Sequence, residues 1–133
     1  MLVAPKITLI KTDEDADLPK RTSVSDTGYI LKAIETKIIP DQGSAIVDTG
    51  LKVENMVKGV WALILPITKL NIESNIIAGT QLLDNTFKGE LKIKLYNHST
   101  NGYLINKGDD IAQIAYFPLL TIEPEWKTDE QSL

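Results

Sequence analysis

An all-β fold, a barrel or sandwich of short strands, is what the sequence predicts, and three observations carry the prediction. β-Branched and aromatic residues gather in short runs. The runs recur at roughly 8–12-residue spacing, as in sandwiches and barrels. The gaps between them hold Gly, Pro, Asn, Asp and Ser, the residues that turn a chain.

Taken in order, the predicted strands are Lys6–Ile10, Tyr29–Thr36, Ala45–Val53, Gly59–Ile67, Gly89–Asn97 and Ile111–Phe117. Leu91, Ile93 and Leu95 alternate with Lys92 and Lys94, the pattern of a strand with one buried and one wet face. Val60–Ile67 is almost continuously apolar and is expected to be buried on both faces. Breaks are expected at Pro40-Asp41-Gln42-Gly43, Asp48-Thr49-Gly50, Ser99-Thr100-Asn101-Gly102 and Lys107-Gly108-Asp109. Thr68–Ser74 is the only hint of a helix. No linker, repeat or low-complexity segment interrupts the chain. It reads as one domain over 1–133, with a polar C-terminal tail from about 122 to 133.

The 133 residues are enough to bury a core without disulfides, and 43% hydrophobic with 24% charged residues argues against disorder. Without cysteine, thiolate metal sites and cysteine nucleophiles are excluded. The single histidine, His98, cannot build a zinc site alone. A net charge of −4 with no cationic cluster argues against nucleic-acid binding. No apolar run nears the ~20 residues of a membrane span, so no membrane partner is expected. The chain reads as soluble and cytoplasmic. No glycine-rich phosphate loop and no nucleophile elbow is present.

Several segments do line up, in order, with one known pattern. They are 26-DTGYIL-31, 47-VDTGLKV-53, 66-PITKL-70, 81-QLLDNTFKGEL-91 and 107-KGDDIAQI-114. Together they resemble the trimeric deoxyuridine triphosphatase (dUTPase) family over nearly the whole chain. The resemblance implies a distorted jelly-roll barrel, a homotrimer with active sites shared between subunits, and hydrolysis of dUTP to dUMP and pyrophosphate with Mg²⁺.

Within 81-QLLDNTFKGEL-91, the resemblance makes Asp84 the water-activating carboxylate and Phe87 the ring that packs on deoxyribose, replacing a Tyr. The backbone of Gln81, Leu82 and Leu83 then belongs to a hairpin that reads the uracil. Gln81 replaces a Gly, and Lys88 an Arg. The alternative, an ordinary polar hairpin, stays open. Thr68 matches a phosphate-binding Ser, and Gln113 a glutamine that contacts phosphate and water.

Other positions depart from the pattern. Ile30 stands where the family has the Asp associated with hydrated Mg²⁺, Ile67 replaces an Arg, and Asp110 replaces another. No glycine follows Gly108, whereas the family's C-terminal arm is glycine-rich. Trp126, the tail's one aromatic, is expected to dock on the body or on a neighbouring subunit. No metal-ligating residue is therefore assigned, and Mg²⁺ is expected only if the protein is active.

Three functions compete. The losses place first a degenerate, non-hydrolytic member, a pseudoenzyme that binds a uridine nucleotide, a different nucleotide or none. The next is a trimeric protein-interaction module with an unidentified partner, in a family widespread in viruses and phages. The alternative is an active dUTP diphosphatase, kept open by Asp84.

Overall fold

The computed structural model describes residues 4–23 and 26–128. The first three residues and the last five of the predicted tail lie outside that range. Among the described residues, ten strands and one short helix follow in chain order: β1 (Ile7–Lys11), β2 (Tyr29–Lys32), β3 (Lys37–Ile39), β4 (Ser44–Met56), β5 (Val60–Leu65), α1 (Thr68–Ser74), β6 (Ile76–Ala78), β7 (Gln81–Leu83), β8 (Gly89–Asn97), β9 (Tyr103–Ile105) and β10 (Asp110–Pro118). They form two four-stranded sheets, ordered β1-β4-β8-β6 and β2-β10-β5-β7, and a small β3-β9 pair. Every pairing is antiparallel. The all-β prediction holds.

The two large sheets face each other across one core. Strand β8 contributes Leu91, Ile93 and Leu95, each fully buried, while Lys92 and Lys94 stay wet. At roughly 2 kcal/mol per buried aliphatic side chain, this alternation alone fixes the strand's register, because a one-residue slip would expose all three. The other sheet answers with Leu31, Ala62, Ile64, Leu83, Ala112 and Ile114.

Four expectations need correction. Tyr29–Thr36 is not one strand: β2 ends at Lys32, and the next backbone donors turn away, Ala33 to Asp109 and Ile34 to Asp48. Asp48-Thr49-Gly50 is not a break, because β4 runs straight through it. Gly50 adopts φ +72°, and the β4–β8 register shifts between Asp48 and Lys52, so an irregularity of the bulge kind bends the strand without ending it. Strand β5 is fully buried on one face only, through Ala62 and Ile64; Trp61, Leu63 and Leu65 are half-buried.

Finally, 81–91 is not a hairpin. Strand β7 pairs with β5, whereas β8 pairs with β4 and β6, so this segment crosses from one sheet to the other. The helix appears where expected, at Thr68–Ser74, and ends on Asn75 in the left-handed conformation. Beyond Pro118, residues 119–128 carry no regular structure.

Candidate functional site

The candidate residues fall into two groups. The first gathers on the sheet face around Gln113. Antiparallel pairing sets Gln113 opposite Ile30 on β2 and opposite Leu65 on β5. Its carboxamide Nε2 donates to the Pro66 carbonyl at 2.9 Å. Gly28 lies beneath that side chain: a Cβ built there would stand 2.8 Å from Gln113 Cδ. Three separated segments of the sequence are thereby locked together, 26-DTGYIL-31, 66-PITKL-70 and 107-KGDDIAQI-114. Thr68 follows two residues after Pro66 as the exposed first residue of α1, whose N-cap is Ile67.

Electrostatics on this face differ from what Asp110 alone suggests. Asp110 lies opposite Lys32 in the β2–β10 ladder, and Lys32 Nζ reaches its carboxylate at 3.1 Å, so the pair carries no net charge. Ile30 is half-buried and lines a cavity of about 350 Å³, whose walls include Lys20, Lys32, Asp15, Asp17 and Lys107. Asp15 and Lys107 form an ion pair that lowers the acid's pKa and raises the amine's.

The second group stands at the other side of the same sheet. Strand β7, Gln81–Leu83, is its edge, paired on one side with β5 and, among the described residues, free of a ladder on the other. Leu83 is buried, Leu82 is exposed, and Gln81 Nε2 donates to the Lys92 carbonyl at 2.8 Å, tying the edge to β8. Asp84 follows, fully exposed. Its Oδ1 accepts from Thr86 N at 3.1 Å and from the Thr86 hydroxyl, while Phe87 N bonds back to the Asp84 carbonyl at 3.1 Å.

These bonds hold the Asp84 carboxyl below the ordinary carboxylate range, the Thr86 hydroxyl acting most strongly, so the group is ionised at neutral pH. Phe87 is half-buried against the core, its ring 3.4 Å from where a Cβ on Gly89 would sit. An anionic, pre-oriented oxygen beside an open strand edge can accept a proton from water while the edge receives a planar polar ring.

Within one chain the two groups do not meet. Gln113 lies opposite Leu65, and Leu83 opposite Ala62, two strands away. With about 3.3 Å per residue and about 4.8 Å between strands, Asp84 stands roughly 15 Å from Gln113. Trp126, expected to dock, is 92% exposed and does not pack on its own chain's body.

An apolar cavity of about 540 Å³, lined by Leu18, Tyr29, Met56, Val60, Tyr116 and Pro118 among others, touches none of the candidate residues. Among the described residues no helix is long and apolar enough to cross a membrane. Nor do three or more His, Asp or Glu side chains among them gather where they could hold a metal. The isoleucine at position 30 offers no oxygen to a Mg²⁺ ion or to its bound water, so the described side chains do not fit a Mg²⁺ site there.

Sequence reasoning gave Gly28 no role. Its place beside Tyr29 was visible, but the reason for a glycine there, the room taken by Gln113, appears only once β2 and β10 are paired.

Comparison with known proteins agrees with this architecture. A dUTPase family model matches residues 14–132. The deoxyuridine 5'-triphosphate nucleotidohydrolase of Yarrowia lipolytica is 35% identical over 111 residues, 84% of this chain and 70% of that protein. The protein of the same name from Paramecium bursaria Chlorella virus 1 is 32% identical over 84% of this chain and 78% of its own. Among solved structures, the dUTPase from phage phi11 of S. aureus superposes with a TM-score of 0.82 at 20% identity, covering 96% of this chain and 99% of that one. The Staphylococcus bacteriophage 80alpha dUTPase G164S mutant, solved with dUpNHpp, gives 0.80 at 22% identity, covering 94% of this chain and 88% of that one. The matched residues, the identities and the superpositions converge: this chain belongs to the dUTPase family.

Proposed function

We propose that the protein hydrolyses dUTP to dUMP and pyrophosphate, in sites built between copies of the chain in a homotrimer. The observation that carries this reading is the Asp84 loop, a carboxylate kept ionised and oriented by Thr86 at the end of an open strand edge. In the proposed reaction Asp84 orients a water and takes its proton. The water oxygen bonds to the α-phosphorus, and the bond from that phosphorus to the bridging oxygen breaks, releasing pyrophosphate. Backbone groups of Gln81–Leu83 would read the uracil edge, and Phe87 would pack on the sugar. Gln113 and Thr68 of a second copy would meet the phosphates, since one chain holds them too far from Asp84 to share a substrate.

Relatives at 31–35% identity across most of the chain all carry the name deoxyuridine 5'-triphosphate nucleotidohydrolase. That shared name moves the weight from the non-hydrolytic reading, placed first on sequence, to the active one. The Lys32–Asp110 pair supports the same shift, because it removes the repulsion that an unpaired Asp110 would exert on a polyanion.

Ile30 and Ile67 favour a second reading, a trimeric module that binds a uridine nucleotide or a protein without hydrolysis, since neither can hold phosphate or a hydrated cation. Pyrophosphate release from dUTP, measured with and without Mg²⁺ for wild type and Asp84→Asn, separates the two. Turnover lost in the variant supports hydrolysis. No turnover with a thermal shift on adding dUMP supports the binder, and neither signal leaves the interaction module.

A further inference from the structure

We infer that Lys20 is a phosphate-binding residue of the proposed site, supplying from the far side of β2 a positive charge that Ile30 and Ile67 do not. The inference rests on the proposed function for where the phosphates lie, and on this chain's own pairing for the rest. Lys20 forms an antiparallel bridge to Ile30, whose N–H donates to the Lys20 carbonyl at 2.8 Å. Ile30 pairs with Gln113, and Gln113 with Leu65. Directly opposed residues on antiparallel strands project to the same face. Lys20, Ile30, Gln113 and Leu65 therefore form one row across the sheet, and the lysine stands on the face that carries Gln113.

With about 5 Å between opposed Cβ atoms, the Lys20 Cβ lies roughly 10 Å from that of Gln113. A flexible four-carbon stem spans much of this gap, passing over the half-buried Ile30. Lys20 is exposed and, among the described residues, is held in no ion pair, whereas Lys32 is committed to Asp110 and Lys107 to Asp15. Arg21, next in the chain, is turned to the Tyr29 ring, 5.2 Å from its centroid. The isoleucine thus offers an apolar shelf under an ammonium that is available to a triphosphate. A point charge needs less defined geometry than a metal-bound water, which fits the loss of an acid at position 30.

Calorimetric titration of the non-hydrolysable analogue α,β-imido-dUTP, and separately of dUMP, into wild type, Lys20→Gln and Lys20→Arg tests this. Lys20→Gln is expected to weaken the triphosphate analogue about tenfold while changing dUMP affinity less than about twofold. Lys20→Arg is expected to stay near wild type, and the gap to narrow as salt is raised. Lys20→Gln binding the analogue as wild type does would overturn the inference, and so would equal weakening of both ligands. Wild type that binds neither ligand would instead remove the proposed function itself, and this inference with it.

Discussion

The Gln113 side chain occupies the volume that any Cβ on Gly28 would need, and from there it donates to the Pro66 carbonyl at 2.9 Å. One contact thus joins three strands' worth of separated sequence. Gly28→Ala is expected to expel the carboxamide and cost about 1–3 kcal/mol, the range for a forced side-chain shift in a packed site. Gln113→Ala should relieve that clash, so the double variant should be more stable than the two single losses predict when added. Urea unfolding of all four proteins measures the coupling.

Asn97 holds a second junction. It is 1% exposed, and its Nδ2 donates to the Ile39 carbonyl at 3.0 Å and to the Asn101 carbonyl at 2.8 Å. Its Oδ1 accepts from Ser99 N at 2.9 Å and from the Ser99 hydroxyl at 2.7 Å. Removing the amide takes the Asn97 donor from the carbonyl of buried Ile39 and leaves a cavity at a 1% exposed site, so Asn97→Ala should lose about 3 kcal/mol, seen as a lower urea midpoint at unchanged slope.

Tyr116 gives the fold a pH dependence. Burial pushes its phenol up to about 12, with the Tyr29 ring packed edge-on at 5.6 Å. The folded state favours the neutral phenol, so this contribution is complete below the ordinary tyrosine value of 10.0 and is lost as pH rises towards 12. Two pH units correspond to roughly 2–3 kcal/mol. Chemical denaturation between these limits should show wild type falling more steeply than Tyr116→Phe; parallel curves would remove the assignment.

In the proposed reaction Asp84 sets the acid limit of activity. Its hydrogen bonds lower its pKa beneath the ordinary 3.8, so the carboxylate survives moderate acid. Turnover should therefore hold on descending from neutral pH and fail only near or below that value. Thr86→Ala removes the hydroxyl donor that lowers this pKa most, and should move the acid limb upward in pH while leaving the fold intact.

How far the sequence could be read follows from what each element is made of. Strand β8 was legible residue by residue, because nine residues of alternation leave one register. Strands β3, β6, β7 and β9 were not, since three residues carry no period and are ordered by their partners. Asp48-Thr49-Gly50 has turn composition, but β8 pairs with β4 before and after it, β1 joins from Leu51 onward, and Gly50 absorbs the bend. In the site, Asp84 and Gln113 were visible only through a family pattern. Their separation, the Gly28–Gln113 contact and the Lys20 row depend on cross-strand pairing between distant segments, which no local motif encodes.

The most direct test is complementation. If Asp84 of one copy works with Gln113 of another, Asp84→Asn and Gln113→Ala are each expected to lose about a hundredfold or more in turnover of dUTP. Refolded together in equal amounts, random assortment should rebuild about a quarter of the sites with both native residues. Pyrophosphate release near that fraction of wild type is the predicted result. A mixture no more active than its parents, with mixed trimers demonstrated by native mass measurement, would contradict the account.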